Sequence, residues 1–266
     1  MPLDKLSILI RGGGELATGV AHRLSQCHLN VVMTEVPRPQ AVRREIAFCE
    51  AVYEGEKEVE GLTARLVSSA DDVVRAWQEG KLPLMVDPGA KVRDVLKPDV
   101  LVDAIIAKKN LGTRLTDARL VIGLGVGFTA GKDVHVVIET NRGHNLGRLI
   151  LSGEAEPDTG VPGVIAGYAA ERLLRAPEAG IFKTSKKIGD QVDAGTVVAT
   201  VNGAPVTAAI GGVIRGLLRD GTEVHRGMKS GDIDPRGIRQ YCYTISDKTR
   251  TIAGGVLEAI LSRFNQ

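Results

Sequence analysis

The segment LSILIRGGGELATGVAHRLSQCHLNVVMTE, residues 6–35, predicts the architecture of the first half of the chain. It opens with a short apolar run, residues 6–10, that stops at Arg11 and three glycines, as a buried parallel strand does. A helix is predicted next, because five apolar residues then share one helical face: Leu16, Ala17, Val20, Ala21 and Leu24. A second apolar strand, residues 31–33, is followed by Thr34 and Glu35. The segment therefore predicts a right-handed βαβ unit.

The same alternation continues outward from this unit. Residues 50–67 alternate apolar and charged side chains around two glycines, which predicts an antiparallel hairpin at a sheet edge. A helix over 70–79 is predicted next, followed by four strands at 82–86, 100–102, 120–122 and 134–138. Polar residues follow most of these strands. Because open α/β sheets bind ligands at the carboxyl ends of their strands, we expect a binding site at that edge.

After about residue 175 the sequence changes to short β-rich pieces separated by glycines. It repeats with a shift of 32 residues, so that Gly180, Gly189, Val192, Gly195 and Val201 correspond to Gly212, Gly221, Val224, Gly227 and Ile233. Each copy resembles one half of a biotinyl/lipoyl-type domain, a barrel-sandwich hybrid. The stretch between the copies, residues 202–212, contains no lysine. A carrier function is therefore not expected, because the amine that takes the lipoyl or biotinyl group is absent.

These patterns predict an α/β fold with a Rossmann-like, mostly parallel sheet, joined to a small all-β barrel-sandwich domain. The predicted boundaries are 1–174 for the α/β domain, 175–235 for the β domain, and 236–266 for a closing strand and helix. The helix is expected over 251–264, because apolar residues line one side of it. This helix is predicted to pack back on the α/β domain. The alternative is that it joins two subunits of a homo-oligomer.

Composition excludes several classes of function. Of the 266 residues, 34 are Lys or Arg and 32 are Asp or Glu, so the net charge of +2 gives no footprint for nucleic acid. Cys27, Cys49 and Cys242 are odd in number and lack a CxxC pair, so neither a disulfide framework nor a zinc ribbon is expected. The first residues turn from apolar to glycine and charge within a few positions, so neither a signal peptide nor a membrane span is expected there. We expect a cytoplasmic protein that does not bind membranes.

The first glycine loop has the pattern G-x-G-x-x-A at Gly12, Gly14 and Ala17, after a strand and before a helix. In a dinucleotide site the glycines admit a pyrophosphate, the helix amino terminus donates N–H groups to it, and an acidic residue binds the ribose. Gly12, Gly13, Gly14 and Glu35 are therefore predicted cofactor-binding residues. The alternative is a plain strand-to-helix turn.

A second glycine loop at residues 123–127 precedes a polar run at residues 139–148. The run is rich in groups that bind anions or the edges of heterocycles. The predicted binding residues are Gly125, Gly127, Asn141, Arg142, His144 and Asn145. No metal site is predicted, because His144 lacks an acidic or histidine partner at helical spacing. The alternative is a solvated loop.

Several longer stretches resemble the YqeB family, which is associated with selenium-dependent molybdenum hydroxylase systems. They are IRGGGELATGVAHRL (10–24), VVMTEVPRPQAVRR (31–44), DVLVDAIIAKKNLGT (99–113), VIGLGVGFTAGKDVHVVIETNRGHNLGR (121–148), EPDTGVPG (156–163) and YCYTISDKTRTIAGGVLEAIL (241–261). The resemblance implies a maturation factor that binds the molybdenum cofactor, as molybdopterin or its dinucleotide. It also implies the hydroxylase and its maturation enzymes as partners. It implies no catalytic residue.

Two other functions are consistent with the sequence. An NAD(P)-dependent oxidoreductase would use the first glycine loop and requires a proton donor, for which His144 is the candidate. A nonenzymatic docking scaffold would bring the hydroxylase and its maturation enzymes together through the β-rich domain.

Overall fold

The computed structural model describes residues 3–265, and the chain divides into two units. Unit 1 comprises residues 3–39, 47–158 and 245–265, and unit 2 comprises Gln40–Ile46 and Thr159–Thr244. Unit 2 is thus inserted in the sequence of unit 1. The boundary at Asp158 lies earlier in the chain than the predicted end of the first domain at residue 174.

Unit 1 is built on a nine-stranded sheet in the order β10-β9-β7-β6-β1-β2-β5-β4-β3. The strands are β1 (Ser7–Arg11), β2 (Asn30–Glu35), β3 (Glu56–Val59), β4 (Leu62–Val67), β5 (Leu82–Val86), β6 (Val100–Asp103), β7 (Leu120–Leu124), β9 (Val136–Ile138) and β10 (Leu149–Ile150). Two short strands, β8 (Thr129–Ala130) and β11 (Gly153–Glu154), form a separate antiparallel pair.

The central strands are parallel and buried on both faces, which explains their continuous apolar sequences. One face carries a core that includes Leu9, Val32, Leu101 and Val121. The chain passes from β1 to β2 on one side, and β6 pairs with the other side of β1. The strand order therefore reverses between β1 and β6. In open α/β sheets, ligands bind in the crevice at such a reversal.

The helices of unit 1 are α1 (Glu15–Gln26), α2 (Ala51–Glu54), α3 (Ala70–Gln78), α4 (Arg93–Leu96) and α5 (Asp247–Phe264). Helix α5 packs along α1, and Gly19 of α1 allows close contact, because a Cβ there would collide with the Thr249 side chain. The Ser246 side chain caps the N-terminus of α5. The closing helix therefore packs within unit 1, and it begins four residues before the predicted start at residue 251.

Unit 2 consists of two four-stranded antiparallel sheets, in the orders β12-β19-β17-β14 and β16-β15-β13-β18. The strands are β12 (Leu173–Arg175), β13 (Gly180–Lys183), β14 (Gln191–Val192), β15 (Val197–Val201), β16 (Ala204–Thr207), β17 (Gly212–Leu217), β18 (Glu223–Val224) and β19 (Lys229–Asp234). Phe182, Ile214 and Ile233 lie in the core that these strands enclose.

A buried ionic network joins β17 and β19. The Asp232 carboxylate, which is fully buried, accepts hydrogen bonds from Arg172 at 2.8 Å and from Arg215 Nε at 2.8 Å. Asp234, also fully buried, accepts from Arg236 Nε at 2.9 Å and Nη2 at 2.6 Å. A buried carboxylate without hydrogen-bond partners destabilises the fold. Asp232 and Asp234 on β19 therefore need these arginines as partners.

The predicted fold class is wrong in two respects, although the chain is of the α/β class. The large sheet is mixed, because the β3–β4 hairpin and the β9–β10 pair add antiparallel strands at its two edges. Unit 2 is two antiparallel sheets and not a clear barrel-sandwich hybrid. The sequence repeat locates apolar strands and glycine turns, but it does not specify which strands pair. Strand β12, outside the repeat, pairs with β19.

Two adjacent glycines of α5 test the packing of that helix. A Cβ on Gly255 would collide with the carbonyl oxygen of Gly147, whereas a Cβ on Gly254 meets no atom within 4 Å. We expect Gly255→Ala to lower the free energy of unfolding by about 1–3 kcal/mol through overpacking. Gly254→Ala should raise it by about 0.5–1 kcal/mol, since alanine favours the helix. Urea unfolding measures both, and equal effects would contradict the packing described.

Asp234→Asn tests the ionic network. Burial raises the pKa of Asp234, but the hydrogen bonds of Arg236 and the charge of Arg215 outweigh it, so the net pKa is lowered. A lowered pKa in the folded state stabilises the fold above the unfolded pKa, and this contribution is lost as the pH falls through the folded value. We expect Asp234→Asn to lower the free energy of unfolding by about 2–3 kcal/mol at neutral pH. The difference from the unsubstituted chain should become smaller as the pH falls toward about 3. A loss that stays constant over this range would exclude the ionic role.

Candidate functional site

The two glycine loops and the polar run all lie at the carboxyl edge of the unit 1 sheet. The first loop, residues 12–14, follows β1, and Glu35 ends the neighbouring strand β2. The second loop, residues 123–127, overlaps the end of β7, and the run 139–148 follows β9. These strands are parallel, so their carboxyl ends meet at the same edge.

The first loop is held by hydrogen bonds within unit 1. Gly12 has a φ of +98°, and its N–H donates to the Thr34 carbonyl at 2.8 Å. The N–H of Gly13 donates to the Glu35 carboxylate at 2.8 Å, and the Gly13 carbonyl accepts from Cys49 N–H at 2.9 Å. Burial raises the pKa of Glu35, and hydrogen bonds from the backbone N–H groups of Val36 and Gly13 oppose this rise. Glu35 thus contacts the loop through Gly13, whereas its predicted partner is the ribose of a cofactor.

Gly14 is the open part of this loop. A Cβ on Gly14 would meet no atom within 4 Å. Gly14 is also the N-cap of α1 and offers no side-chain acceptor, whereas Ser69 caps α3 and Ser246 caps α5 through their side chains. A helix N-terminus carries partial positive charge and points its N–H groups outward. The loop therefore leaves space for an anionic group beside Gly14, at the positive end of the helix.

A loop at residues 104–112 packs on both glycine loops. A Cβ on Gly12 would lie 3.1 Å from the Ala104 carbonyl oxygen, and a Cβ on Gly127 would lie 2.6 Å from the Lys109 nitrogen. Gly125 approaches the Thr140 side chain in the same way. Gly12, Gly125 and Gly127 thus allow one part of the chain to approach another closely. Of the predicted glycines, Gly14 is the one with open space.

Arg11 closes the base of the 104–112 loop. Its guanidinium pairs with the Asp103 carboxylate at 3.1 Å and also hydrogen-bonds the Thr113 hydroxyl, which donates to Asp103 at 2.6 Å. All three residues are buried. Asp103 and Thr113 stand at the two ends of the loop, so Arg11 on β1 fixes both ends. Sequence reasoning missed this cluster, although an arginine at the end of an apolar strand and an aspartate ending another strand were visible signals.

Two asparagines of the polar run bind a carboxylate of unit 1. The side-chain amides of Asn141 and Asn145 each donate to Glu156, both at 2.8 Å. Hydrogen bonds from Asn145 and Asn141 lower the pKa of Glu156. The buried Glu139 accepts from the backbone N–H groups of Asn141 and Glu156, both at 2.7 Å. The amides that were predicted to bind heterocycle edges therefore hold Glu156.

Arg142 forms a bidentate pair with Asp247 at the start of α5, at 2.7 and 2.9 Å. His144 lies exposed on the same loop. A cavity of about 480 Å³ adjoins this run and is lined by three glutamates and a single arginine: Glu139, Glu154, Glu156 and Arg148, with Asn145 and residues 149–152. The acidic lining disfavours a phosphate there. The predicted site residues thus share an edge, but the anion-binding groups of the polar run are engaged with carboxylates.

Neither a membrane-spanning helix nor a metal-binding cluster of side chains is present among the described residues. No helix of the described part of the chain combines the length and apolar character needed to cross a membrane. Across the same residues, no group of three or more His, Cys, Asp or Glu side chains is placed to hold a metal ion.

Comparison with known proteins finds one curated relative of high similarity. The chain is 49% identical over 259 residues to the uncharacterized protein YqeB of Escherichia coli strain K12. This match covers 97% of the chain and 48% of the relative, so the chain spans about half the length of that protein. The similarity supports the resemblance to the YqeB family. No protein-family model matches the chain.

Solved structures resemble the chain only weakly. An aspartoacylase family protein from Mesorhizobium loti is 11% identical, with a TM-score of 0.28 over 86% of this chain and 84% of that one. A succinylglutamate desuccinylase/aspartoacylase from Rhodobacter sphaeroides is 14% identical, with a TM-score of 0.25 over 86% and 85%. TM-scores this low assign neither a fold nor an activity.

Asp103→Asn tests the cluster at the base of the 104–112 loop. The substitution leaves the buried Arg11 guanidinium without a counter-charge, so we expect the free energy of unfolding to fall by about 3–5 kcal/mol. Asp247→Asn is the control, because it breaks an ion pair with exposed side chains and should cost about 1 kcal/mol or less. Chemical denaturation measures both variants, and equal losses would contradict a special role for Asp103.

Proposed function

We propose that this chain belongs to an accessory protein of a molybdenum hydroxylase and that unit 1 binds a nucleotide-type ligand. The anionic group of the ligand would lie at the N-terminus of α1. The accessory role rests on the resemblance to the YqeB family. The binding site rests on the open space at Gly14, which lies beside the uncapped start of α1 and close to the reversal of strand order. Backbone N–H groups at a helix start bind phosphate without any charged side chain.

Glu35 supports the same ligand class. Its carboxylate already contacts the loop at Gly13, at the end of the strand next to β1. In nucleotide sites of this geometry an acidic side chain at this place accepts hydrogen bonds from ribose hydroxyls. In the ligand complex we expect Glu35 to exchange its hydrogen bond with Gly13 for one with the sugar.

The residues present fit the molybdenum cofactor in part. A phosphate or dinucleotide group fits the α1 N-terminus. The pterin does not fit the run 139–148 as it stands, because Asn141 and Asn145 hold Glu156, and Arg142 holds Asp247. The geometry therefore favours the nucleotide part of a dinucleotide cofactor over the pterin part, and no reaction step is assigned to it.

Gly14→Val tests the site with little strain on the backbone. Gly14 is extended, with φ −70° and ψ −174°, which any residue adopts, and a Cβ there would meet no atom within 4 Å. We expect the midpoint of thermal unfolding to fall by about 4 °C or less, because valine is a poorer N-cap than glycine. We expect nucleotide affinity to fall about tenfold or more, because the side chain fills the ligand space. Isothermal titration with ADP and NAD measures the affinity.

Gly143→Val is the matched control for this prediction. A Cβ added at Gly143 would also meet no atom within 4 Å, but Gly143 lies in the polar run 139–148. We expect this variant to bind ADP as the unsubstituted chain does. A loss of affinity in Gly143→Val, with none in Gly14→Val, would move the site to the polar run.

The ligand itself is identified from protein produced in cells that make molybdopterin. The protein is purified quickly and denatured, and the released compounds are analysed as fluorescent pterin oxidation products and by nucleotide chromatography. A stoichiometric molybdopterin dinucleotide is the expected result. Release of NAD(P) without pterin would instead indicate an oxidoreductase, and an absence of both would argue against a ligand-binding role.

A further inference from the structure

The segment Arg236–Tyr243 of unit 2, RGIRQYCY, presents a basic and aromatic surface, here called the 236–243 surface. Seven of its eight residues are exposed, and none of them is acidic. Ile238 is 42% exposed, Tyr241 38% and Tyr243 39%. Tyrosine and arginine are the residue types enriched at the energetic centres of protein interfaces.

Contacts with the rest of unit 2 hold this surface in a fixed conformation. Cys242 is fully buried, and its thiol lies 3.7 Å from the Ile214 carbonyl oxygen. The Tyr243 hydroxyl donates to the Ile188 carbonyl at 3.1 Å, and Arg43 donates to the Tyr241 carbonyl at 2.9 Å. Because the segment is already ordered, a partner does not have to immobilise it, which lowers the entropic cost of binding.

The surface is also backed by positive charge. The Arg236 guanidinium lies 4.5 Å from the centre of the Tyr241 ring and binds the buried Asp234. Asp234 and Asp232 are the two carboxylates of the network described above, and three arginines surround them. These three arginines outnumber the two carboxylates by one. Arg236 is its most exposed arginine, with 38% of the side chain accessible, against 13% for Arg215.

The charge of unit 2 as a whole has the same sign. It contains 13 Lys or Arg and 9 Asp or Glu residues, and Arg239 adds a second exposed arginine to the surface. A partner with carboxylates would complement this charge. A nucleic acid is disfavoured, because its affinity depends on many phosphate contacts, whereas this surface has two arginines separated by Ile238.

We propose that the 236–243 surface binds an acidic segment of a partner protein, with carboxylates at Arg236 and Arg239 and an apolar side chain against Ile238 and Tyr241. This site is independent of the nucleotide site proposed for unit 1. It also lies outside residues 175–235, the range to which sequence reasoning assigned docking.

The test uses the full chain and a short fluorescein-labelled peptide of alternating glutamate and leucine. Fluorescence anisotropy at low salt measures its dissociation constant, and a peptide with glutamine in place of glutamate is the control ligand. We expect Arg239→Glu to weaken binding of the acidic peptide by about tenfold or more. Tyr241→Ala should give a comparable loss, because it removes the ring beside the apolar side chain.

Arg226→Glu is the matched control variant. Arg226 is an exposed arginine of the same unit outside the surface, so its reversal changes the net charge of the chain by the same amount. We expect less than about a twofold change in affinity. Circular dichroism verifies that each variant is folded, and Tyr241→Ala keeps the test decisive if Arg239→Glu does not fold.

Three results would overturn the proposal. The first is equal binding of the glutamate and glutamine peptides. The second is an equal loss in Arg226→Glu and Arg239→Glu, which would indicate a general charge effect. The third is tighter binding of oligouridine than of the acidic peptide, with the same sensitivity to Arg239→Glu, which would assign the surface to nucleic acid.

Discussion

The ion pair between Arg11 and Asp103 determines the form of the candidate site. It joins the carboxyl ends of β1 and β6, the two strands between which the strand order reverses. With Thr113 it also closes the base of the 104–112 loop, and that loop packs on Gly12 and Gly127. Part of the crevice at the reversal is therefore filled by the chain itself. The N-terminus of α1, at Gly14, is the part that has open space.

The 104–112 loop has backbone conformations that agree with this constraint. Ile106 has a φ of +60° and Lys108 a φ of +59°, values that are unfavourable for residues with a Cβ, above all a β-branched one. Such conformations persist where the surrounding structure over-determines them, and they concentrate at functional sites. Here the fixed ends of the loop and its contacts with two glycines provide that constraint. The location agrees with the proposed binding edge.

The fold of unit 1 was predictable from sequence to a large extent, because its strands are short apolar runs that end at glycine or acidic residues. The βαβ unit of residues 6–35 and the edge hairpin within residues 50–67 are both present. The mixed character of the sheet was only partly visible, since β10 has two residues and no distinctive pattern. In unit 2 the repeat locates strands but not their pairing, so the predicted barrel-sandwich domain was wrong.

The candidate site was predictable in its place but not in its pairings. Residue type indicated that Arg142 binds an anion and that Asn141 and Asn145 bind heterocycle edges. In the structure each of the three binds a carboxylate of the same chain. Glu156 lies 11 residues after Asn145 and Asp247 lies 105 residues after Arg142, and no local pattern predicts these contacts. The contact of Glu35 with Gly13 was better specified, because two adjacent parallel strands bring their ends together.

The most direct test of the binding site is a map of backbone amide shifts in a two-dimensional ¹⁵N–¹H spectrum of the ²H,¹⁵N-labelled chain during titration with ADP. We expect the largest changes at Gly13, Gly14, Glu15 and Leu16, with a smaller set around Glu35 as its carboxylate exchanges partners. Changes centred on residues 139–148, or no saturable change at all, would contradict a nucleotide site at the N-terminus of α1.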